Sequence, residues 1–188
     1  KMVEKDWVKF VLRANVVHEP GTVFQYNNAG PYLLGILIQR KTGGSLIDYL
    51  MPRLFEPLGI ERPVDEKDPL GNTFGAGGLQ LNVSEFAKLG LLYLQKGQWN
   101  GRQLIPAQWT VEAGSPQIIS DQGDDEIGRH YGYLFWTMPD GAFRADGKYG
   151  QYCIVLPHKN AVVAINSMQI EDEKKVLRAA VRTVLPLL

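Results

Sequence analysis

The sequence predicts an α+β fold, a helical part followed by an antiparallel sheet and a closing helix, and three observations carry that reading. Apolar residues recur at helical spacing through the first half of the chain. From about residue 129, short aromatic and β-branched runs between turn signals replace them. The chain then ends on an amphipathic segment, EDEKKVLRAAVRTVLPLL, acidic at its start and basic later, in favourable register with a helix dipole.

Taken in order, DWVKFVLRA places Trp7, Phe10 and Val11 on one helical face behind Asp6, a suitable N-cap. The stretch VVHEPGTVFQY is a Pro-Gly turn leading into an extended piece. After Asn28, AGPYLLGILIQRKTGG reads as a helix closed by Gly43, and a second helix restarts at Ser45, to be kinked or ended by Pro52 and Pro57. The charged, Pro- and Gly-rich run IERPVDEKDPLGNTFGAGG is loop. Asn82, with Glu85 three positions on, is a capping box for a helix whose apolar face holds Phe86, Leu89 and Leu92 or Tyr93 and which ends near Gly97. A short helix starts at Pro106, and strands follow near 131–137, 142–147, 151–157 and 160–166, with the last helix over about 171–186 packed on one face.

A chain of 188 residues, 45% of them apolar, is long enough for one core and short for two independent ones. One domain over 1–188 is therefore expected, with helices and loops over 1–128 and strands plus the closing helix over 129–188. Lys plus Arg equals Asp plus Glu at 20 each, so no net field draws nucleic acid or an anionic membrane. The single cysteine, Cys153 in YCIVLP, excludes an internal disulfide and reads as a small buried strand residue. No apolar run reaches the roughly 18 to 20 residues of a membrane span, and the opening KMVEKDWVKF is no secretory signal.

Candidates for chemistry are few. His18, His130 and His158 fall in three separate loops without zinc-site spacing or Cys partners, so no metal is expected. No phosphate-binding Gly-rich loop occurs and no cofactor is implied; GAGG at 75–78 lacks the Lys and the spacing and reads as a tight turn. Neither Ser-x-x-Lys nor G-x-S-x-G is present, and the nearest pairing, Ser84 and Lys88, belongs to a capped helix start.

PGTVFQYNNAGPYLLGILIQRKTGGSLIDYLMPRLFEPLGI is the informative stretch. Its Pro20-Gly21, Tyr26-Asn27-Asn28, Leu33-Leu34-Gly35, Thr42-Gly43 and Pro57-Leu58-Gly59 fall in the order found in serine β-lactamase-like hydrolases, and the stretch strongly resembles the Tyr-x-Asn region of that family: class C β-lactamases, DD-carboxypeptidases and related esterases. GAGGLQLNVSEFAKLGLLYLQKG resembles the family's Gly-Gly-Leu segment and following helix, and YGYLFW its strand before the third motif. The resemblance extends over nearly the whole chain.

By this resemblance Tyr26 accepts the proton of a nucleophilic Ser. A phenol of ordinary pKa, about 10, does so only where nearby cations stabilise its phenolate. Asn28 is the amide that holds substrate and the nucleophile's Lys neighbour, and Asn27 is the variable middle position. A core Tyr and a helix-capping Asn are the structural alternatives for Tyr26 and Asn28. The third motif, Lys or His, any residue, then Gly, is met by Ala145, Asp146 and Gly147. Ala145 brings no cation, which leans away from penicillin recognition toward esterase or peptidase relatives. Lys148 is either a substitute cation or a solvated turn residue, and the backbone N–H just after Gly147 is the implied oxyanion donor. Tyr26 and Asn28 are expected within about one side-chain length of the Ala145–Lys148 strand end.

The family's Ser-x-x-Lys helix precedes everything seen in this sequence. The chain is therefore expected to be the C-terminal portion of a larger hydrolase of esters, amides or β-lactams, incomplete relative to the family fold and inactive alone. A non-catalytic module binding a peptide, a cell-wall fragment or a protein, and an unrelated structural domain, stand as the alternatives. The implied partners are a small ester, amide or peptide substrate and, covering an exposed edge and apolar face, the N-terminal part or a copy of the chain. Relatives are commonly exported, so the resemblance implies an extracytoplasmic location.

Overall fold

The computed structural model describes residues 4–188; residues 1–3 of the opening segment lie outside them. Two compact units make up the chain, Lys1–Leu81 and Asn82–Leu188.

The first unit is helical. Helix α1 (Trp7–Leu12) starts at Asp6, whose side chain accepts from Lys9 N at 2.9 Å, as the cap signal predicts. Helix α2 (Ala29–Thr42) ends at Gly43 in the left-handed region, φ 75°. Helix α3 (Leu46–Leu50) is capped by Ser45, which accepts from Asp48 N. Pro52 then has no N–H for the ladder, and the helix widens into a π-turn over Met51–Phe55 before leaving the axis. Phe55 at its end and Leu58 and Ile60 beyond it are buried. Val8, Tyr32 and Ile36 form a core onto which Trp7, Leu33 and Phe74 pack. The segment expected as loop is held by short bridges between Val64 and Gln80 and between Lys67 and Thr73.

The second unit is a six-stranded antiparallel sheet in sequence order between helices. Helix α4 (Val83–Leu94) begins with both capping-box bonds, Asn82 Oδ1 from Glu85 N and Glu85 Oε2 from Asn82 N, each 2.9 Å. The small hairpin β1 (Gln98–Trp99) and β2 (Arg102–Gln103) follows, then helix α5 (Ala107–Gly114) after Pro106. The sheet comprises β3 (Ile118–Asp124), β4 (Gly128–Tyr131), β5 (Trp136–Thr137), β6 (Phe143–Gly147), β7 (Gln151–Leu156) and β8 (Ala161–Ile165). Helix α6 (Glu173–Ala179) continues as a π-turn and a 3₁₀ turn to Leu187.

Strand β7 explains the layering. Tyr152, Ile154 and Leu156 point to one face and join Leu177 and Ala180 in a core. Cys153 points to the other face, where its Sγ donates to Phe86 O at 3.6 Å. A Cβ at Gly90 would lie 2.5 Å from Cys153 Sγ and 2.7 Å from Val162, so α4 needs glycine there to sit this close to the sheet. Phe86 and Leu89, expected on the buried face, are only half-buried, while Gly90 and Leu92 are fully covered. Each wholly buried side chain of Ile154 type contributes about 1.5–3 kcal/mol. Burial also pushes the Cys153 thiol up to about 11, as fits a packing residue.

Two differences from the sequence reading have local causes. The run expected as one strand over 131–137 is broken: Leu134 takes φ 65° and Gly132 lies so close to α5 that a Cβ would stand 2.2 Å from Ala113 O. Tyr133 instead stacks on Trp109, ring centroids 5.4 Å apart. Strand β3 went unseen because IISDQGD is poor in strand formers, and its register is irregular between Ile119 and Asp124.

Candidate functional site

Tyr26 and Asn28 lie in the first unit, Ala145 to Lys148 in the second. Irregular backbone from the Pro-Gly turn brings Tyr26 to the start of α2, where it is half-exposed at 50%. The cap is not made by Asn28: its side chain gives no capping hydrogen bond, although Asn28 O accepts Tyr32 N at 3.1 Å. Its neighbour does that work. Asn27 Oδ1 accepts Gly30 N at 2.9 Å, and Asn27 Nδ2 donates to Gln25 O at 3.0 Å. Asn28 lines a cleft of about 720 Å³ that Trp7, Phe10, Tyr32, Lys67 and Phe74 also line.

An acidic knot that sequence reasoning missed, around Asp68, fixes another part of this cleft's lining. Tyr32 Oη donates to Asp68 Oδ2 at 2.7 Å, and Asp68 also accepts from Leu70 N, Asn72 N and Asn72 Nδ2 at 2.7–2.9 Å. Burial alone would raise the Asp68 carboxyl, but the bonds from Asn72 and Tyr32 together hold it below the usual carboxylate range. The same burial, then Asp68 itself, pushes the Tyr32 phenol well above its ordinary value. Asp-Pro-Leu-Gly at 68–71 is a turn signature that could have drawn notice. Trp7 meets Tyr32 and Phe74 edge-on, with centroids 6.1 and 5.7 Å apart.

In the second unit, the third-motif residues end β6 and open its turn into β7. Pairing of Ala145 with Cys153 and of Asp146 with Tyr152 assigns Ala145 to the α4 face and Asp146 to the α6 face. Asp146 Oδ1 lies 2.9 Å from Nε of Arg144, which is buried, sits over the Trp136 ring and donates from Nη1 to Ile127 O. Burial pushes the Asp146 carboxyl up to about 6 against the pull of that guanidinium. Lys148 is exposed, with Nζ over the Tyr149 ring at 4.8 Å. Among the described residues, no group of three or more His, Cys, Asp or Glu is arranged to hold a metal, and no helix is long and apolar enough to cross a membrane.

A helical unit in which Tyr-x-Asn precedes α2, together with an antiparallel sheet between α4 and α6, is the β-lactamase and DD-peptidase class of fold. The chain belongs to the Beta-lactamase family, whose model matches residues 2–185. It is 26% identical over 104 residues to the 6-aminohexanoate-dimer hydrolase of Paenarthrobacter ureafaciens. Solved structures that share the fold include a 6-aminohexanoate-dimer hydrolase homologue from Bacillus anthracis, at 24% identity and TM-score 0.74 over 92% of this chain. An octameric penicillin-binding protein homologue from Pyrococcus abyssi matches at 21% identity and TM-score 0.70 over 90%. The chain spans 26% of the curated relative and 46% and 44% of the two solved chains.

Proposed function

We propose that this chain supplies the proton-transfer and oxyanion groups of a serine hydrolase that cleaves an ester, amide or β-lactam through an acyl-enzyme, with the nucleophile lying outside this sequence. Tyr26 takes the proton of the attacking Ser, Asn28 holds the substrate, and the N–H of Lys148, just after Gly147, is one oxyanion donor. Ala145, Asp146 and Gly147 form the substrate-facing strand end, and Lys148 follows them as an exposed cation on the turn. Because Ala145 stands where relatives carry a cation, uncharged esters and amides are favoured over carboxylate-bearing penicillins.

The observation that carries this reading is the division of labour at α2. Asn27 makes the cap bond, and Asn28, with no capping bond of its own, lines a cleft. The hydrolase names of the relatives support the same reading. The test is the source gene's full reading frame. It should carry Ser-x-x-Lys ahead of Lys1, and its product should hydrolyse p-nitrophenyl esters with kcat falling by about 10²–10⁴ in Tyr26→Phe. A fused domain without Ser-x-x-Lys would favour a binding module instead.

The partner follows from β8. It is the end strand of the sheet among the described residues, and its Ala161–Ile165 is regular and carries no charge. Such an edge is a template for a further strand, and covering apolar area there is favourable at about 25 cal/mol per Å². The polypeptide associates through it, with the rest of a longer form of this protein or with a copy of itself; the octameric relative supports the second. Light scattering at micromolar concentration should show a species larger than the monomer. A monodisperse monomer with a cooperative melt contradicts this.

A further inference from the structure

The turn that joins β6 to β7, Lys148-Tyr149-Gly150, is held in an unusual way. Tyr149 takes φ 69° and Gly150 φ 82°. Glycine adopts that region freely, but a tyrosine there carries backbone strain that the surroundings must hold in place. Both backbone groups of Tyr149 are held by the segment that leads into and opens α6. Its N–H donates to Glu173 Oε1 at 2.6 Å, and its carbonyl accepts Gln169 N at 2.9 Å. Glu173 is the first residue of α6, and its own carbonyl accepts Tyr152 Oη at 3.0 Å, so one residue grips both the turn and the strand that leaves it. The fit is close: a Cβ on Gly150 would stand 3.3 Å from Ser167 Oγ and from Val176, and 3.5 Å from Glu173 O.

A carboxylate in the first turn of a helix ordinarily serves the helix's own N–H groups. Glu173 reaches instead to the peptide next to Lys148, whose N–H is the oxyanion donor of the proposed reaction. The function reading above is presupposed here. We infer that Glu173 is a positioning residue: by holding the Lys148–Tyr149 peptide through its N–H, beside the Gly147–Gln151 ladder pair, it constrains the Gly147–Lys148 peptide between them and so the direction of its N–H, and it contacts no substrate itself. The bond is charge-assisted, and it is the type of fixed support that preorganised oxyanion donors need.

Two readouts separate this inference from the hydrolase reading. On the chain itself, amide hydrogen exchange followed by NMR should show Tyr149 N–H protected. Glu173→Gln should speed Tyr149 exchange about tenfold or more. In the product of the full reading frame, Glu173→Gln should lower kcat about tenfold with KM unchanged. Adding Tyr149→Gly, which adopts positive φ without a clamp, should restore most of the rate. Exchange at Tyr149 that ignores Glu173 overturns the clamp. Lost protection with kcat unchanged, or no rescue by Tyr149→Gly, overturns the positioning role and leaves the hydrolase reading standing. If the full product hydrolyses nothing, that reading falls and takes the catalytic half of this inference with it, while exchange still judges the clamp.

Discussion

The opening of α2 and the β6–β7 turn both carry candidate chemistry, and they are built in opposite ways. At α2 the fixing bonds are local: Asn27 reaches two residues back to Gln25 and three forward to Gly30. At the turn the fixing group comes from 24 positions away, in Glu173, and the backbone it holds is strained. A site made of local bonds repeats as a short string that sequence can show. One made of distant bonds is invisible until the chain is folded.

Substitutions sharpen that comparison. The largest effect is expected at Asn28: in the full reading frame's product, Asn28→Ala should cost at least about a hundredfold in hydrolysis, while the unfolding free energy moves by less than ~0.5 kcal/mol. An equal loss of stability would show that Asn28 caps after all. Gly150→Ala comes next, at about 2 kcal/mol by denaturant titration, from the left-handed backbone and the close contacts with Ser167, Val176 and Glu173. A change within error there would mean that the turn relaxes and is not gripped. Asn27→Ala is the smallest, about 1 kcal/mol of stability with hydrolysis nearly intact, since the bonds lost, to Gly30 N and Gln25 O, are local to the helix start.

Much of the fold was legible because its signals are local. Asp6, Ser45 and the Asn82–Glu85 box all cap as their spacing predicts, and Pro52 deforms its helix for want of an N–H. Strands β6, β7 and β8 fall where apolar runs meet turn residues. What stayed hidden depends on distant partners. Strand β3 exists because β4 pairs with it, despite weak intrinsic preference. The Asp68 knot joins residues 36 apart, and Arg144 with Asp146 gave no pattern along the chain. Tyr26 and Asn28 drew notice through their motif, yet only the coordinates show that Asn27 takes the capping work.

The central claim is that catalysis joins Tyr26 of this chain to a nucleophile that this sequence does not contain. Its most direct test is the isolated chain, incubated at micromolar concentration with nitrocefin and with p-nitrophenyl esters. No hydrolysis above buffer is expected, since the acyl-enzyme route needs a Ser and a Lys that the chain lacks as a Ser-x-x-Lys pair. Measurable turnover by this chain, abolished in Tyr26→Phe, would contradict the claim.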